Sequence, residues 1–252
     1  MNGIPSLRER MRRGDVLVGG WLTVRSAEIA EALASTGVDW IAADLEHGTL
    51  DVGTASDAFV AIECHGAAPV ARMTRMDPAQ ARRLLDVGAE GLLVPVVEDA
   101  GAFAEFARDC AYSPAGRRGN ALGRFNRWGD DFAAYRDGFV PALVPMIETA
   151  RGVEAAAEIA ALDCVDGLFF GPYDLSADLG EPGNFTSERF VAARDRILAA
   201  AAAAGKPAGG HQVAIDPESL AHMIADGFRF IAYGTDIVAL RAAMAGRNGG
   251  TA

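Results

Sequence analysis

Eight short, nearly continuous apolar runs recur along this chain, and each is followed by a stretch with helical character. The runs are VLVGGWL (16–22), VDWIAAD (38–44), APVARM (68–73), GLLVPVV (91–97), ALVPMIE (142–148), DGLFFG (166–171), KPAGG (206–210) and FRFIAYG (228–234). Strands that are apolar throughout, rather than alternating with polar residues, belong to a parallel sheet covered on both faces. Eight such units in 252 residues predict a closed (β/α)8 TIM barrel rather than an open doubly wound sheet. An open dinucleotide-binding sheet is further disfavoured because no GxGxxG follows a strand and opens a helix. KPAGG is the weakest of the eight strands. Residues 1–252 form a single domain on this reading, with the Gly/Ala tail from Gly246 expected to fray.

Composition narrows the function classes. The net charge of −11 argues against general binding to nucleic acid or an anionic membrane surface. Cys64, Cys110 and Cys164 are widely spaced and form no CxxC pair, so neither a zinc site nor a disulfide framework is expected. The basic N-terminus has no apolar run behind it, and no stretch reaches the roughly 18–20 apolar residues of a membrane span. A cytoplasmic protein without a membrane partner is the expectation. One segment breaks the rhythm. Residues 112–140, rich in Arg, Gly and aromatics, are longer than an ordinary connection. They are expected to lie over the barrel mouth and to meet a neighbouring subunit.

Barrel active sites lie at the C-terminal ends of the strands, so those positions are read first. The second strand ends in Asp44, Leu45, Glu46, His47 and Gly48. The third ends at Arg72, the fifth at Glu148, and the sixth in Gly171, Pro172, Tyr173 and Asp174. A charge at the end of a buried strand is costly unless it is paired, solvated or bound to metal. Glu148 and Asp174 end adjacent strands, so their carboxylates can converge as a hard oxygen site for a divalent cation. The structural alternatives are a salt bridge from Glu148 to Arg151 and an N-cap role for Asp174. His47 suits general-base work. Arg72 can grip a carboxylate and steady a developing oxyanion, or form an ion pair with Asp44 or Glu46. His211, just past the seventh strand, can reach the mouth, whereas His65 and His222 fall on helices.

Lys206 is the only lysine among 23 Lys and Arg residues. It stands at the start of a strand, at the end of the barrel opposite the catalytic one. A Schiff-base lysine is therefore not expected, and an enolate made in this barrel would need a metal as its electron sink.

The motifs DWIAADLEHG, VARM…LLDVGAEGLLVPVVEDA, MIETARGVE and VDGLFFGPYDLSADLG, in order from about Gly19 to Ala243, resemble the metal-dependent class II pyruvate aldolases. That group includes 4-hydroxy-2-oxoheptanedioate and 2-keto-3-deoxy-L-rhamnonate aldolases, within the larger family that contains the citrate lyase β subunit. The resemblance implies metal ligands at Glu148 and Asp174, a base at His47, an enolate-steadying arginine at Arg72, and a carboxylate at Asp86 that pairs with the histidine. It also implies a carboxylate cradle around Gly171, Tyr173 and Asp174, a mouth residue at Trp21, and a homohexamer. The cofactor implied is Mg2+, Mn2+ or Co2+, with no nucleotide. The implied partners are a 2-oxo acid and an aldehyde, interconverted with a 4-hydroxy-2-oxo acid. Met146 stands where many relatives have a substrate-holding Gln, Tyr173 replaces a small residue, and GGHQVAID differs from the usual apolar segment, which can bring His211 near the aldehyde. Two rival readings accompany this one: an oxaloacetate decarboxylase or other enolate-forming lyase or synthase on the same site, and a non-catalytic metabolite-binding barrel.

Overall fold

The computed structural model describes residues 5–245; the tail expected to fray lies outside them. The first third of the chain carries α1 (Leu7–Arg12), β1 (Leu17–Leu22), α2 (Ala27–Ala34), β2 (Trp40–Asp44), α3 (Val52–Cys64), β3 (Ala68–Arg72) and α4 (Pro78–Asp86). β4 (Gly91–Val94), α5 (Ala100–Cys110), α6 (Phe132–Gly138), β5 (Ala142–Ile147) and α7 (Ala150–Ala161) follow. The chain continues through β6 (Leu168–Phe170), α8 (Pro172–Asp178), α9 (Glu188–Ala203), β7 (Ala208–Gln212), α10 (Pro217–Ala225), β8 (Phe228–Tyr233) and α11 (Asp236–Ala245).

All eight strands are parallel and close as β1-β2-β3-β4-β5-β6-β7-β8, the TIM barrel the apolar runs predict. β7 is the irregular member, with a register shift at Ala208/Gly209. Several strand-to-helix loops end on a side chain that accepts from the helix's first turn: Ser26 for α2, Asp51 for α3, Asp77 for α4, Asp99 for α5 and Thr149 for α7. Such caps satisfy otherwise orphaned backbone donors and fix where each strand-end residue stands. Thr149, directly after Glu148, does this at the fifth strand.

Two apolar layers result. The outer one packs helices on the sheet around Phe59, Phe103, Leu84 and Ile197. The inner one fills the barrel with Trp40, Val70, Leu93, Val144, Phe169 and Phe230. Trp40 stacks on Phe230 with centroids 4.1 Å apart, and it fits only because residue 19 is glycine. A Cβ there would lie 2.2 Å from the indole. Helix α1 closes the N-terminal end of the barrel, burying Leu7 and Met11 in the inner layer. Arg8 and Arg12 converge on the buried carboxylate of Asp166 at 3.0 and 2.8 Å.

The connection between α5 and β5 does not lie over the mouth. It follows a helix and precedes a strand, so parallel topology returns it to the N-terminal end. There Arg124 pairs with Glu63 at the end of α3, and Arg118 pairs with Asp86 at the end of α4 at 2.7 Å. Arg118 is only 3% exposed, and its guanidinium lies over Tyr112 (4.7 Å) and Phe125 (5.4 Å). The segment is organised around this one cation. Among the described residues, no helix is long and apolar enough to cross a membrane.

Candidate active site

Trp21, Arg72, Met146, Glu148, Gly171, Tyr173, Asp174 and His211 line a single cavity of about 70 Å³ at the C-terminal end of the barrel. They come from five strands or the loops just after them, and parallel register brings them together. Asp44 aligns with Arg72, and Ile147 with Phe170, so Glu148 and Gly171 are next neighbours. A larger hollow of about 290 Å³ lies at the other end, between α9 and the start of β7. Its lysine, Lys206, donates to the carbonyls of Ala160 and Leu162 at 2.6 and 2.5 Å. That ammonium caps the end of α7 and is held away from the mouth.

Glu148 is 4% exposed. Its Oε1 accepts the N–H of Val96 at 2.7 Å, and among the described residues no cation forms a salt bridge with it. Arg151, the partner considered from sequence, lies instead 3.9 Å from Glu98. Burial pushes the Glu148 carboxyl up to about 7, the Val96 N–H opposes the rise, and the charges of Asp174 and Glu46 add to it. Gly171 makes this packing possible, because a Cβ there would stand 2.6 Å from Glu148 Oε2. Asp174 is in the first turn of α8, whose N-cap is Gly171, so Asp174 is not the cap itself. It is exposed toward the mouth.

Arg72 is held on two sides. Its Nε donates to Asp44 Oδ1 at 2.9 Å, its Nη2 also meets Asp44, and its Nη1 lies 3.1 Å from Glu46. The ion pairs weighed as the structural alternative are therefore present, and the guanidinium still faces the cavity. Asp44 Oδ1 also accepts the N–H groups of Glu46 and His47 at 3.0 Å each, and Trp21 Nε1 donates to Oδ2 at 3.0 Å. Burial opposes the charge of Asp44, yet Arg72, the His47 amide and Trp21 together hold its carboxyl below the ordinary range. Glu46 moves the other way, raised by burial against the pull of Arg72. One buried carboxylate thus sets the positions of Arg72, Trp21 and the turn carrying His47.

His47 stands outside the cavity lining on that turn, its side chain 64% exposed, with Nε2 3.9 Å from Glu46. Asp86 is not brought near it. It ends α4 at the opposite end of the barrel and is engaged by Arg118. Helix direction explains this, since a helix that leaves the mouth after β3 must end at the other face. Sequence reasoning missed Val96, a β-branched residue at φ +52°, an uncommon and strained backbone. Its position just past β4 is a usable signal, but the conformation is not. It also missed Gly234 and Thr235, which sit against His211.

Fold and site together define a barrel enzyme whose mouth pairs a charge-poor carboxylate with an arginine. The comparisons narrow that class. Residues 17–243 match the family model described as HpcH/HpaI aldolase/citrate lyase. A hydroxypyruvate/pyruvate aldolase of Chromohalobacter salexigens is 37% identical, with 91% of each chain covered. A 4-hydroxy-2-oxo-heptane-1,7-dioate aldolase of Escherichia coli is 36% identical, covering 93% of this chain and 90% of the relative. A crystal structure of an HpcH/HpaI aldolase/citrate lyase family protein from Burkholderia cenocepacia superposes with a TM-score of 0.90 at 32% identity, covering 96% of this chain and 97% of that one. The chain belongs to the HpcH/HpaI aldolase/citrate lyase family and is a carbon–carbon lyase.

Proposed function

We propose that this enzyme carries out metal-dependent, reversible aldol cleavage of a 4-hydroxy-2-oxo acid to pyruvate or hydroxypyruvate and an aldehyde. The observation that carries the reading is Glu148, a buried carboxylate whose nearest charged neighbours in the cavity include a second carboxylate. A divalent cation fits that donor set. Glu148 and Asp174 supply hard oxygen ligands, and burial without a salt-bridge partner is what a cation would relieve. Among the described residues no third His, Cys, Asp or Glu joins a ligand group, which suits an ion that keeps water and substrate oxygens in its shell. When bound, such a cation supplies Lewis-acid polarisation of the 2-oxo group.

The chain's own residues do the rest. Backbone at Gly171, Tyr173 and Asp174 cradles the substrate carboxylate. Arg72, locked by Asp44 and Glu46, presents its guanidinium to the oxygen that gains negative charge as the carbon–carbon bond breaks. His47 accepts the 4-hydroxyl proton in cleavage, and in the reverse direction takes a proton from the pyruvate methyl group. Met146 and Trp21 exclude water above the inner core. If Asp86 pairs with His47, as its motif implies, the carboxylate must come from another copy of the chain, because the two lie at opposite ends of one barrel. That requirement supports a homo-oligomer, for which a hexamer is the proposed form.

Proton exchange at the pyruvate methyl group in D₂O, followed by NMR, tests the reading without knowledge of the aldehyde. Exchange with Mg2+ or Mn2+ that stops with EDTA and in His47→Ala is the expected result. Exchange that continues unchanged in EDTA, or in His47→Ala, overturns the assigned roles.

A further inference from the structure

His211 is a titratable cavity residue that the reaction as described leaves idle. It stands near the C-terminal end of β7, paired with Ala232, and lines the same cavity as Arg72, Glu148 and Asp174. Its ring stacks on Trp21 with centroids 4.5 Å apart and planes inclined by 24°. Trp21 is itself anchored by its bond to Asp44, so the imidazole plane is set from one side by a fixed wall. The ring edge is set as well. Nε2 lies 3.4 Å from the carbonyl oxygen of Gly234 and 3.2 Å from Thr235 Oγ1.

A carbonyl oxygen can only accept, so the Gly234 contact favours the tautomer with the proton on Nε2 and the Thr235 hydroxyl as a second acceptor; the opposite tautomer would instead take a bond from the Thr235 hydroxyl. In a neutral imidazole the other nitrogen, Nδ1, is then a lone-pair acceptor. Burial pushes the imidazole pKa down to about 4, with the Gly234 contact opposing the shift, so the ring is neutral across the working range. Among the described residues no protein hydrogen bond reaches Nδ1, nor is Nδ1 one of the water-inaccessible polar atoms left without a partner. The nitrogen thus keeps some accessible surface, on a residue that lines the cavity. In the tautomer that the Gly234 contact favours, the neutral ring offers the cavity a hydrogen-bond acceptor at Nδ1.

We propose that His211 is a specificity-determining residue whose Nδ1 accepts a hydrogen bond from a hydroxyl group on the carbon chain of the substrate, selecting hydroxylated over unsubstituted reactants. The inference rests on the aldolase reading of the mouth. The hydroxyl can belong to either half of the product: C3 of a hydroxypyruvate-type nucleophile, or the carbon next to the carbonyl of a glycolaldehyde-type acceptor. A site that offers a buried acceptor discriminates against reactants lacking the donor, because its lone pair is then left unpaired.

Two measurements test it. In ¹⁵N NMR of imidazole-labelled protein with Mg2+, His211 is expected to show a protonated Nε2 and a bare Nδ1. Hydroxypyruvate or glycolaldehyde should shift the Nδ1 resonance, and pyruvate or acetaldehyde should not. In kinetics, kcat/KM ratios are taken for hydroxypyruvate over pyruvate with one aldehyde, and for glycolaldehyde over acetaldehyde with pyruvate. His211→Leu should lower one ratio about ten-fold while the pyruvate–acetaldehyde reaction stays within about three-fold. His211→Asn, whose amide oxygen can stand in for Nδ1, should recover part of the loss. The ratio that falls identifies which reactant carries the hydroxyl. A protonated Nδ1, unchanged ratios in His211→Leu, or an equal loss for every substrate pair overturns the proposal; equal loss would make His211 only a prop for Trp21. Wild-type protein without metal-dependent methyl exchange would break the aldolase reading instead, and the NMR response of Nδ1 to the hydroxylated ligands would still decide the role of His211.

Discussion

Asp166 and Glu148 are both buried carboxylates of the same barrel, at opposite ends, and they are treated in opposite ways. Asp166, at the N-terminal end, receives Arg8 and Arg12 from α1 and the N–H of Leu143 at 3.2 Å. Glu148, at the mouth, receives one backbone N–H and feels two further negative charges, with Arg72 opposing them but forming no salt bridge to it. The first arrangement spends its charges on holding α1 against the barrel floor. The second leaves a buried carboxyl without a salt-bridge partner, so that ionising it costs stability unless a cation arrives. In a barrel the two ends can be assigned separately to stability and to chemistry, and with Glu148 in its proposed role these two carboxylates divide in that way.

The largest effect should come from Glu148→Gln. Metal-dependent exchange and cleavage should fall by about a thousand-fold or more, while the metal-free protein becomes no less stable. The sign follows from linkage. A carboxyl raised from 4.5 to about 7 stays protonated in the folded chain where the unfolded chain has lost its proton. The metal-free wild type therefore loses stability as pH rises from about 4.5 to about 7, by on the order of 3 kcal/mol. Glu148→Gln should flatten that slope in thermal melts taken across this range. A variant that loses activity and stability together would erase the contrast with Asp166.

Gly171→Ala comes next. The added methyl group collides with the Glu148 carboxylate, so metal affinity by calorimetry and kcat/KM should each fall about ten- to a hundred-fold, with little change in melting temperature. Asp166→Asn should do the reverse. Unfolding in urea should show a loss of about 2 kcal/mol, with kinetic constants close to wild type. The smallest expected effect is at Val96. Val96→Gly keeps the N–H that holds Glu148 and relieves a positive φ, so a gain of up to about 1 kcal/mol is expected with activity within a few-fold. A large activity loss there would mean that the 54% exposed valine side chain, and not only its backbone, serves the mouth.

Much of this was legible beforehand for a physical reason. Continuous apolar runs mark parallel strands, and charges are tolerated at their C-terminal ends only where something compensates them, so Arg72, Glu148 and Asp174 could be singled out and their nearness follows from strand order. The placing of residues 112–140 over the mouth was misjudged because composition carries no direction, and the motif likewise does not tell that Asp86 and His47 lie at opposite ends of one barrel. Topology supplies both, since what ends a helix or joins a helix to the next strand lies at the N-terminal face. Glu148 also shows a limit of another kind. Its position was readable, but its lack of a salt-bridge partner among the described residues was not, because Arg151 is three residues away in sequence and turned toward Glu98.

The sequence by itself determined the barrel, the order of its strands and the set of charged residues gathered at the mouth, since these depend on local periodicity and on the cost of burying charge. The tertiary structure decided which of those groups are neutralised and how they are oriented. Asp44 rather than a catalytic group organises Arg72, Trp21 and the His47 turn. Val96 takes a left-handed backbone to reach Glu148, and His211 is set edge and face by Gly234, Thr235 and Trp21. Each of these contacts joins residues remote along the chain. No local pattern encodes them, and only packing across the closed barrel selects one hydrogen-bond geometry among the many the sequence allows.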